Sequence, residues 1–228
     1  MSRTLKIAHR GAKGYAPENT LDAFRKAIEM QADGIELDVH LSSDGHLVVI
    51  HDDTLERTTN GKGFVKDYTL GQLKDFRIEG QEQIPILAEV FDLVNRRCFI
   101  NVELIGEGTV EPVQTLIEKY VLDKKWRYDD FIVSSFNWNY LQQLRLSNPE
   151  IPIGILAQTD LELAFSFAKF MEAEAIHPYF HLLTEENTKK MQLRKVKIFP
   201  WTVNELEDIE KMKLFNVDGI ISDFTDRI

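Results

Sequence analysis

The chain has 228 residues, 43% of them hydrophobic and 28% charged, which suits one globular unit with a sizeable core and excludes a disordered chain. Its formal net charge of −10 argues against broad electrostatic binding to nucleic acid or anionic membranes, and no 18-residue apolar span is present. The single cysteine, Cys98, excludes an intrachain disulfide.

Residues 5–9 form a short apolar run closed by Arg10-Gly11, and the pattern predicts a first buried strand. Pro17-Glu18-Asn19-Thr20 opens a helix: Asn19 or Thr20 can cap it, and Leu21, Phe24, Ala27 and Ile28 follow at helical spacing. The stretch 34–52, GIELDVHLSSDGHLVVIHD, comes next and organises the rest. Its first arm carries Glu36 and Asp38 at alternate positions, so both project to the same side of a strand. A Ser-Asp-Gly turn reverses the chain, and an apolar second arm, 47–50, brings back His51. His40 and His46 lie in the hairpin and are expected to be exposed.

Residues 53–85 turn polar, with a loop at 59–63 and a short helix at 69–76. The pattern predicts an insertion, spanning about 40–85, in a single domain of residues 1–228. Helical spacing resumes at Leu87, Val90, Phe91 and Val94. Strands are then expected at 98–104, 131–135, 153–156, 175–177, 198–202 and 219–222, with helices near 110–120, 138–146, 160–171, 185–193 and 204–215. Asn204, with Glu207 three residues on, reads as the N-cap of the last helix. With the 47–50 arm set aside as a hairpin, eight strands alternate with helices. That favours a closed (β/α)8 TIM barrel over a doubly wound sheet, and no Gly-x-Gly-x-x-Gly follows any strand.

In such a barrel the chemistry lies at the C-terminal strand ends. His9-Arg10, Glu36 and Asp38, Glu103, Ser134-Ser135, His177, Trp201-Thr202 and Ser222-Asp223 all fall there, which points to an enzyme. Glu36, Asp38 and Glu103 are acids in otherwise apolar strands and need compensation, from Arg or Lys or from a hard divalent cation. All-oxygen donors suit Mg²⁺, Ca²⁺ or Mn²⁺ better than zinc. His9 and His51 each end an apolar run and suit a general acid–base pair, or serve as rim residues. Arg10 offers a donor fork to a phosphate oxygen, or pairs with Glu18. Trp201 covers an apolar part of a substrate or plugs the barrel mouth. His177 and His181 stand open between structure and function.

These residues fall into a set. His9-Arg10-Gly11, Pro17-Glu18-Asn19-Thr20, Glu36-Leu37-Asp38-Val39 and His51-Asp52 resemble the N-terminal motifs of the glycerophosphodiester phosphodiesterase family. Arg57-Thr58-Thr59-Asn60-Gly61, Asn101-Val102-Glu103, Ser134-Ser135-Phe136, Trp201-Thr202-Val203-Asn204 and Asp218-Gly219-Ile220-Ile221 continue the resemblance in order. It implies a TIM barrel with a small cap after strand 2, and hydrolysis of a glycerophosphodiester to an alcohol and glycerol 3-phosphate. It also implies His9 and His51 as the catalytic pair, Arg10 on the phosphate, and Ca²⁺ or Mg²⁺ held by Glu36, Asp38 and Glu103. The expected partner is a small glycerophosphodiester of glycerol and lipid metabolism, with no nucleic acid and no stable membrane insertion; the oligomeric state is left open. The opening residues show no signal-peptide pattern, so a cytoplasmic location is expected. Two positions depart from the family pattern. Ile105 stands where Asn-x-Glu-x-Lys has lysine, and Trp138 where Ser-Phe-x-His has histidine. The first removes a cation from the phosphate side, so another cation substitutes, turnover falls, or the preferred substrate differs. The alternatives to hydrolysis of glycerophosphodiesters are a related lysophospholipase D-type reaction and a catalytically weakened binding or regulatory homologue.

Overall fold

The computed structural model describes residues 3–228; Met1 and Ser2, at the start of the stretch read as lacking a signal peptide, lie outside them. β1 (Leu5–Ala8) leads through α1 (Leu21–Glu29) to β2 (Gly34–Leu41), and β3 (Leu47–Val49) folds back antiparallel on β2. The segment that follows β3, expected as an insertion, carries α2 (Leu70–Asp75). Helix and strand then alternate: α3 (Leu87–Val94), β4 (Phe99–Leu104), α4 (Val110–Lys124), β5 (Phe131–Ser135), α5 (Trp138–Ser147) and β6 (Ile153–Ala157). The chain ends with α6 (Leu161–Phe170), β7 (Ala175–Pro178), α7 (Glu185–Gln192), β8 (Lys197–Ile198), α8 (Leu206–Leu214) and β9 (Gly219–Ser222).

Eight parallel strands run in the order β8-β7-β6-β5-β4-β2-β1-β9. The two end strands meet through single backbone bonds, Asp218 N–H to the Ile198 carbonyl at 3.2 Å and Ile221 N–H to the Pro200 carbonyl at 3.0 Å. This is the expected (β/α)8 TIM barrel, nearly closed. The strand expected at 198–202 is regular only to Ile198, because Pro200 has no N–H to donate to a ladder. Phe199 and Trp201 still donate to Ile176 and Pro178, at 3.0 and 3.1 Å, so the edge continues past the break.

Strand alternation separates two apolar layers. Ile35, Leu37 and Val39 of β2 and Ile100, Val102 and Leu104 of β4 face outward, under helix stripes such as Ala23, Phe24 and Ala27 of α1. Burying each large apolar side chain is worth roughly 1.5–3 kcal/mol. Thr20 starts α1 by accepting from the Ala23 N–H at 3.1 Å. Inside the barrel, Ile7, Ile132, Ala175, Phe199 and Ile221 form a separate cluster with Leu5 and Phe99. Two inward positions are glycine because rings occupy their space: a Cβ on Gly34 would lie 2.3 Å from the Phe99 ring, and one on Gly154 2.6 Å from His177 Nε2.

The insertion has its own cluster, built from Val48, Ile50, Leu55, Val65, Leu73 and Ile84. β3 is shared between the two, since Leu47 and Val49 face the barrel core while Val48 points into the insertion. Thr69 and Gln72 cap α2 reciprocally, and the Thr69 N–H donates to Gln72 Oε1 at 2.9 Å.

Two expectations are corrected. His40 is buried, only 7% exposed, because β2 stays in the barrel wall to Leu41 and position 40 shares the inward phase of Glu36 and Asp38. α8 begins at Leu206 with Glu205 at its N-cap; Asn204 does not cap it. Asn204 Oδ1 instead accepts from Ser222 Oγ at 3.1 Å and from the Asp223 N–H at 2.9 Å, holding the chain just past β9. Among the described residues, no helix is long and apolar enough to cross a membrane.

Candidate active site

The chain turns sharply as it leaves β1. Arg10 and Gly11 take φ of +52° and +79°, and a Cβ on Gly11 would meet the Ala23 backbone at 2.8 Å. The turn directs the Arg10 N–H to Glu36 Oε2, at 2.8 Å. The guanidinium sits between two acids. Nη1 donates to Glu18 Oε1 at 2.8 Å, and Nε lies 3.3 Å from Asp38 Oδ2 without hydrogen-bond alignment. The Glu18 pair is therefore present, but within the site rather than at the surface, with side chains 13% and 9% exposed.

Glu36 and Asp38 project inward from β2, and Glu103 from β4 is in register with Asp38. One carboxylate oxygen from each lies within 4.8 Å of the others. Asn19 Nδ2 donates to Asp38 Oδ2 at 2.8 Å. Burial and the neighbouring Asp38 and Glu103 push the Glu36 carboxyl well up; burial and Asp38 do the same to Glu103, with Arg10 opposing both. Three carboxyls share one arginine, so ionising all three would leave uncompensated negative charge in a buried place. An all-oxygen donor set of this kind fits a hard divalent cation.

Each histidine is held through Nδ1. His9 Nδ1 lies 2.6 Å from Asp223 Oδ1, and Asn204 Nδ2 donates to the other Asp223 oxygen at 2.9 Å. An ionised carboxylate only accepts, so it holds a proton on Nδ1 and leaves Nε2 as the free base. Burial lowers the His9 pKa against the opposing pull of the Asp223 hydrogen bond, and Arg10 lowers it further. His51 Nδ1 lies 2.6 Å from Asp52 Oδ1. Arg57 grips that carboxylate through Nε (2.6 Å) and Nη2 (2.9 Å) and also reaches Glu18 at 2.7 Å. The Arg57 hydrogen bonds hold Asp52 well below the usual carboxylate range. Burial opposes ionisation of Glu18, yet Arg57 and Arg10 bring it down to about 2. An alternating run of charge thus links Arg10, Glu18, Arg57, Asp52 and His51.

A cavity of about 120 Å³ opens onto His9, Arg10, Glu36, Glu103, His51 and Trp201. Trp201 is fixed by its Nε1 donating to the His177 carbonyl at 2.7 Å and meets Phe136 edge-on at 5.5 Å. A wider groove of about 800 Å³ adjoins at His51; Ile105, Lys66, Phe64 and Tyr140 are among its walls. Trp138 lines neither space. It stacks on Phe167 at 4.9 Å and donates to the Leu156 carbonyl at 3.0 Å, so its substitution for histidine leaves the rim to Phe136. The structure brings His9, Arg10, Glu36, Asp38, His51, Glu103 and Trp201 to one end of the barrel. Sequence reasoning missed the pairing of Asp223 with His9 and of Asn19 with Asp38. The available signal for the first was a carboxylate directly after the last strand, which a closed barrel sets beside the first.

Comparison with known proteins bears on this site. The glycerophosphoryl diester phosphodiesterase family matches residues 9–227, and the chain belongs to that family. A glycerophosphodiester phosphodiesterase of Caldanaerobacter subterraneus subsp. tengcongensis is 43% identical, over 97% of this chain and 94% of its own. Another, from Bacillus altitudinis, is 39% identical over 97% and 95%. An Oleispira antarctica phosphodiesterase, solved with the product sn-glycerol-3-phosphate, superposes with a TM-score of 0.88 at 29% identity, covering 97% of this chain and 94% of that one. A Thermotoga maritima glycerophosphodiester phosphodiesterase superposes at 0.81 and 29% identity, over 99% and 97%.

Proposed function

We propose that this chain hydrolyses glycerophosphodiesters to an alcohol and glycerol 3-phosphate, with residues 1–228 acting as one catalytic unit and the segment at about 40–85 as its cap. The observation that carries this is the single cavity in which two carboxylate-held histidines meet the Glu36 and Glu103 members of an acidic cluster. Family membership, and the product seen in the Oleispira antarctica relative, support the choice of substrate.

Glu36, Asp38 and Glu103 would hold the divalent cation, Ca²⁺ or Mg²⁺. When bound, it neutralises phosphoryl charge. Arg10 binds a phosphoryl oxygen, preorganised by Glu18 and Asp38 so that little reorganisation accompanies the reaction. Of His9 and His51, one removes a proton from the nucleophile and the other protonates the leaving alkoxide; Asp223 and Asp52 stabilise the imidazolium as it forms. Trp201 walls the apolar side of the substrate. The lysine missing at Ile105 leaves Lys66 as the lysine of the adjoining groove.

The test is an assay of metal-stripped and metal-supplemented protein on glycerophosphocholine and on a lysophosphatidylcholine, with glycerol 3-phosphate, cyclic phosphate and lysophosphatidate resolved separately. Glycerol 3-phosphate should form only with added cation, and neither His9→Ala nor His51→Ala should form it. Wild-type turnover in either variant would overturn the assignment. Lysophosphatidate released from lysophospholipids would move it to the phospholipase D-type reaction.

A further inference from the structure

His177 is a polar side chain with nothing to do in the protein itself. It lies on β7 at an inward position, fully buried, and neither ring nitrogen has a hydrogen-bond partner. Its carbonyl is used by Trp201, but its ring is not. No charged group compensates the ring, and burial lowers its pKa to about 3, which favours the neutral imidazole. The ring sits against Phe199, centroids 5.4 Å apart, in the space that Gly154 leaves open.

An unpartnered buried polar group is costly, and an apolar side chain would fill the same space without that cost. Two more such groups occur on the adjacent strands β4 and β5, across β6 from His177: Asn101 Oδ1 and Ser134 Oγ are also buried without partners. His177 and Asn101 both line the cavity that holds His9, His51, Glu36 and Glu103. Its roughly 120 Å³ has room for several water molecules or a short polyol. A neutral imidazole presents one donor and one acceptor, the complement of an alcohol hydroxyl, which also donates once and accepts. A phosphoryl oxygen only accepts, and the cationic donors that suit it belong to Arg10, at the β1 end of the site.

We propose that His177, with Asn101, hydrogen-bonds the terminal hydroxyl of the substrate's glycerol moiety, making it a specificity residue for glycerol as the alcohol retained on the phosphate. This rests on the phosphodiesterase reading and deepens it. A site that hydrogen-bonds a hydroxyl disfavours the analogue lacking it, because its own polar groups are then left unpaired.

Two diesters of phosphocholine separate the cases, one of glycerol and one of propane-1,2-diol, which lacks the terminal hydroxyl. With cation-loaded enzyme, His177→Phe should lower kcat/KM on the glycerol diester by about 10–100-fold and leave the propanediol diester within about threefold, collapsing the preference. His177→Gln, which keeps a donor and an acceptor, should restore part of it. An unchanged preference in His177→Phe, or an equal loss on both diesters, overturns the proposal. A wild-type measurement covers the case in which the variants do not fold. Glycerol 3-phosphate should shift the ¹⁵N resonances of the His177 ring where propane-1,2-diol phosphate does not, and equal shifts with both overturn the proposal. A wild-type enzyme inactive on both diesters overturns the phosphodiesterase reading instead, while the nitrogen shifts still decide the hydroxyl site.

Discussion

His9 and Asp223 stand 214 residues apart in sequence and 2.6 Å apart in the structure, because β1 and β9 are neighbours in the barrel wall. The last strand thus orients an imidazole carried by the first, and closure of the fold completes the pair. Asp223→Asn should leave the fold intact, since Asn204 can still bond the new amide's oxygen. The amide can donate to Nδ1, which favours the wrong tautomer. We expect kcat to fall by at least about 10²-fold with KM little changed, a milder form of the loss seen on the same exchange in a serine protease triad. Steady-state kinetics on glycerophosphocholine check this, and a rise in KM at constant kcat would show that Asp223 serves binding instead.

The three carboxyls within 4.8 Å predict a stability effect that does not depend on turnover. Ca²⁺ or Mg²⁺ should raise the unfolding temperature of chelator-treated protein, since a ligand at 100 times its Kd stabilises by about 2.7 kcal/mol. Glu103→Gln should lose most of the rise. Thermal unfolding with and without the cation reads it directly; an unmoved transition would mean that these acids serve another purpose.

His177 makes an acid-side prediction with a definite sign. Its folded pKa, about 3, lies below the ordinary value of 6.5, so between these the unfolded chain binds a proton that the native protein does not. Its contribution to stability is complete above about pH 6.5 and is lost as pH falls towards 3. His177→Phe should therefore flatten the fall in unfolding free energy between pH 6 and 4, measured by denaturant titration. Parallel curves for the two proteins would refute it.

Ile105 faces the groove that meets the cavity at His51, so a lysine there would enter from the substrate side. Ile105→Lys should raise kcat/KM on glycerophosphodiesters, by up to the roughly 10²–10³ that one preorganised donor supplies elsewhere. Unchanged or lower kcat/KM would show that the missing charge was not limiting.

The parts of this site that follow from local rules were legible in the sequence. Glu36, Asp38 and Glu103 come together because strand alternation and parallel register leave them no other face. The barrel itself followed from counting strands and helices. What was not legible depends on contacts between distant segments. Asp223 needs closure of the barrel to find His9, and Asn204 was spent on that same junction, so its resemblance to a helix cap misled. His40 was misplaced for a related reason: the hairpin pattern gave its position but not how far β2 continues within the wall. The unpartnered ring of His177 has no signature in sequence at all.

The shared strand β3 gives the two halves of the chemistry unequal anchorage. The acids and His9 are rooted in the barrel wall, but His51 follows Ile50, which belongs to the insertion's own cluster, and its carboxylate partner is gripped by Arg57 of that same segment. One histidine of the proposed acid–base pair is therefore suspended from a small satellite core, while the other stands on the main one. Loosening that satellite should disarm the enzyme without unseating the proposed cation site. In a denaturant titration, hydrolysis should accordingly disappear at a lower concentration than divalent-cation binding, and simultaneous loss of both would show that the insertion and the barrel melt as one.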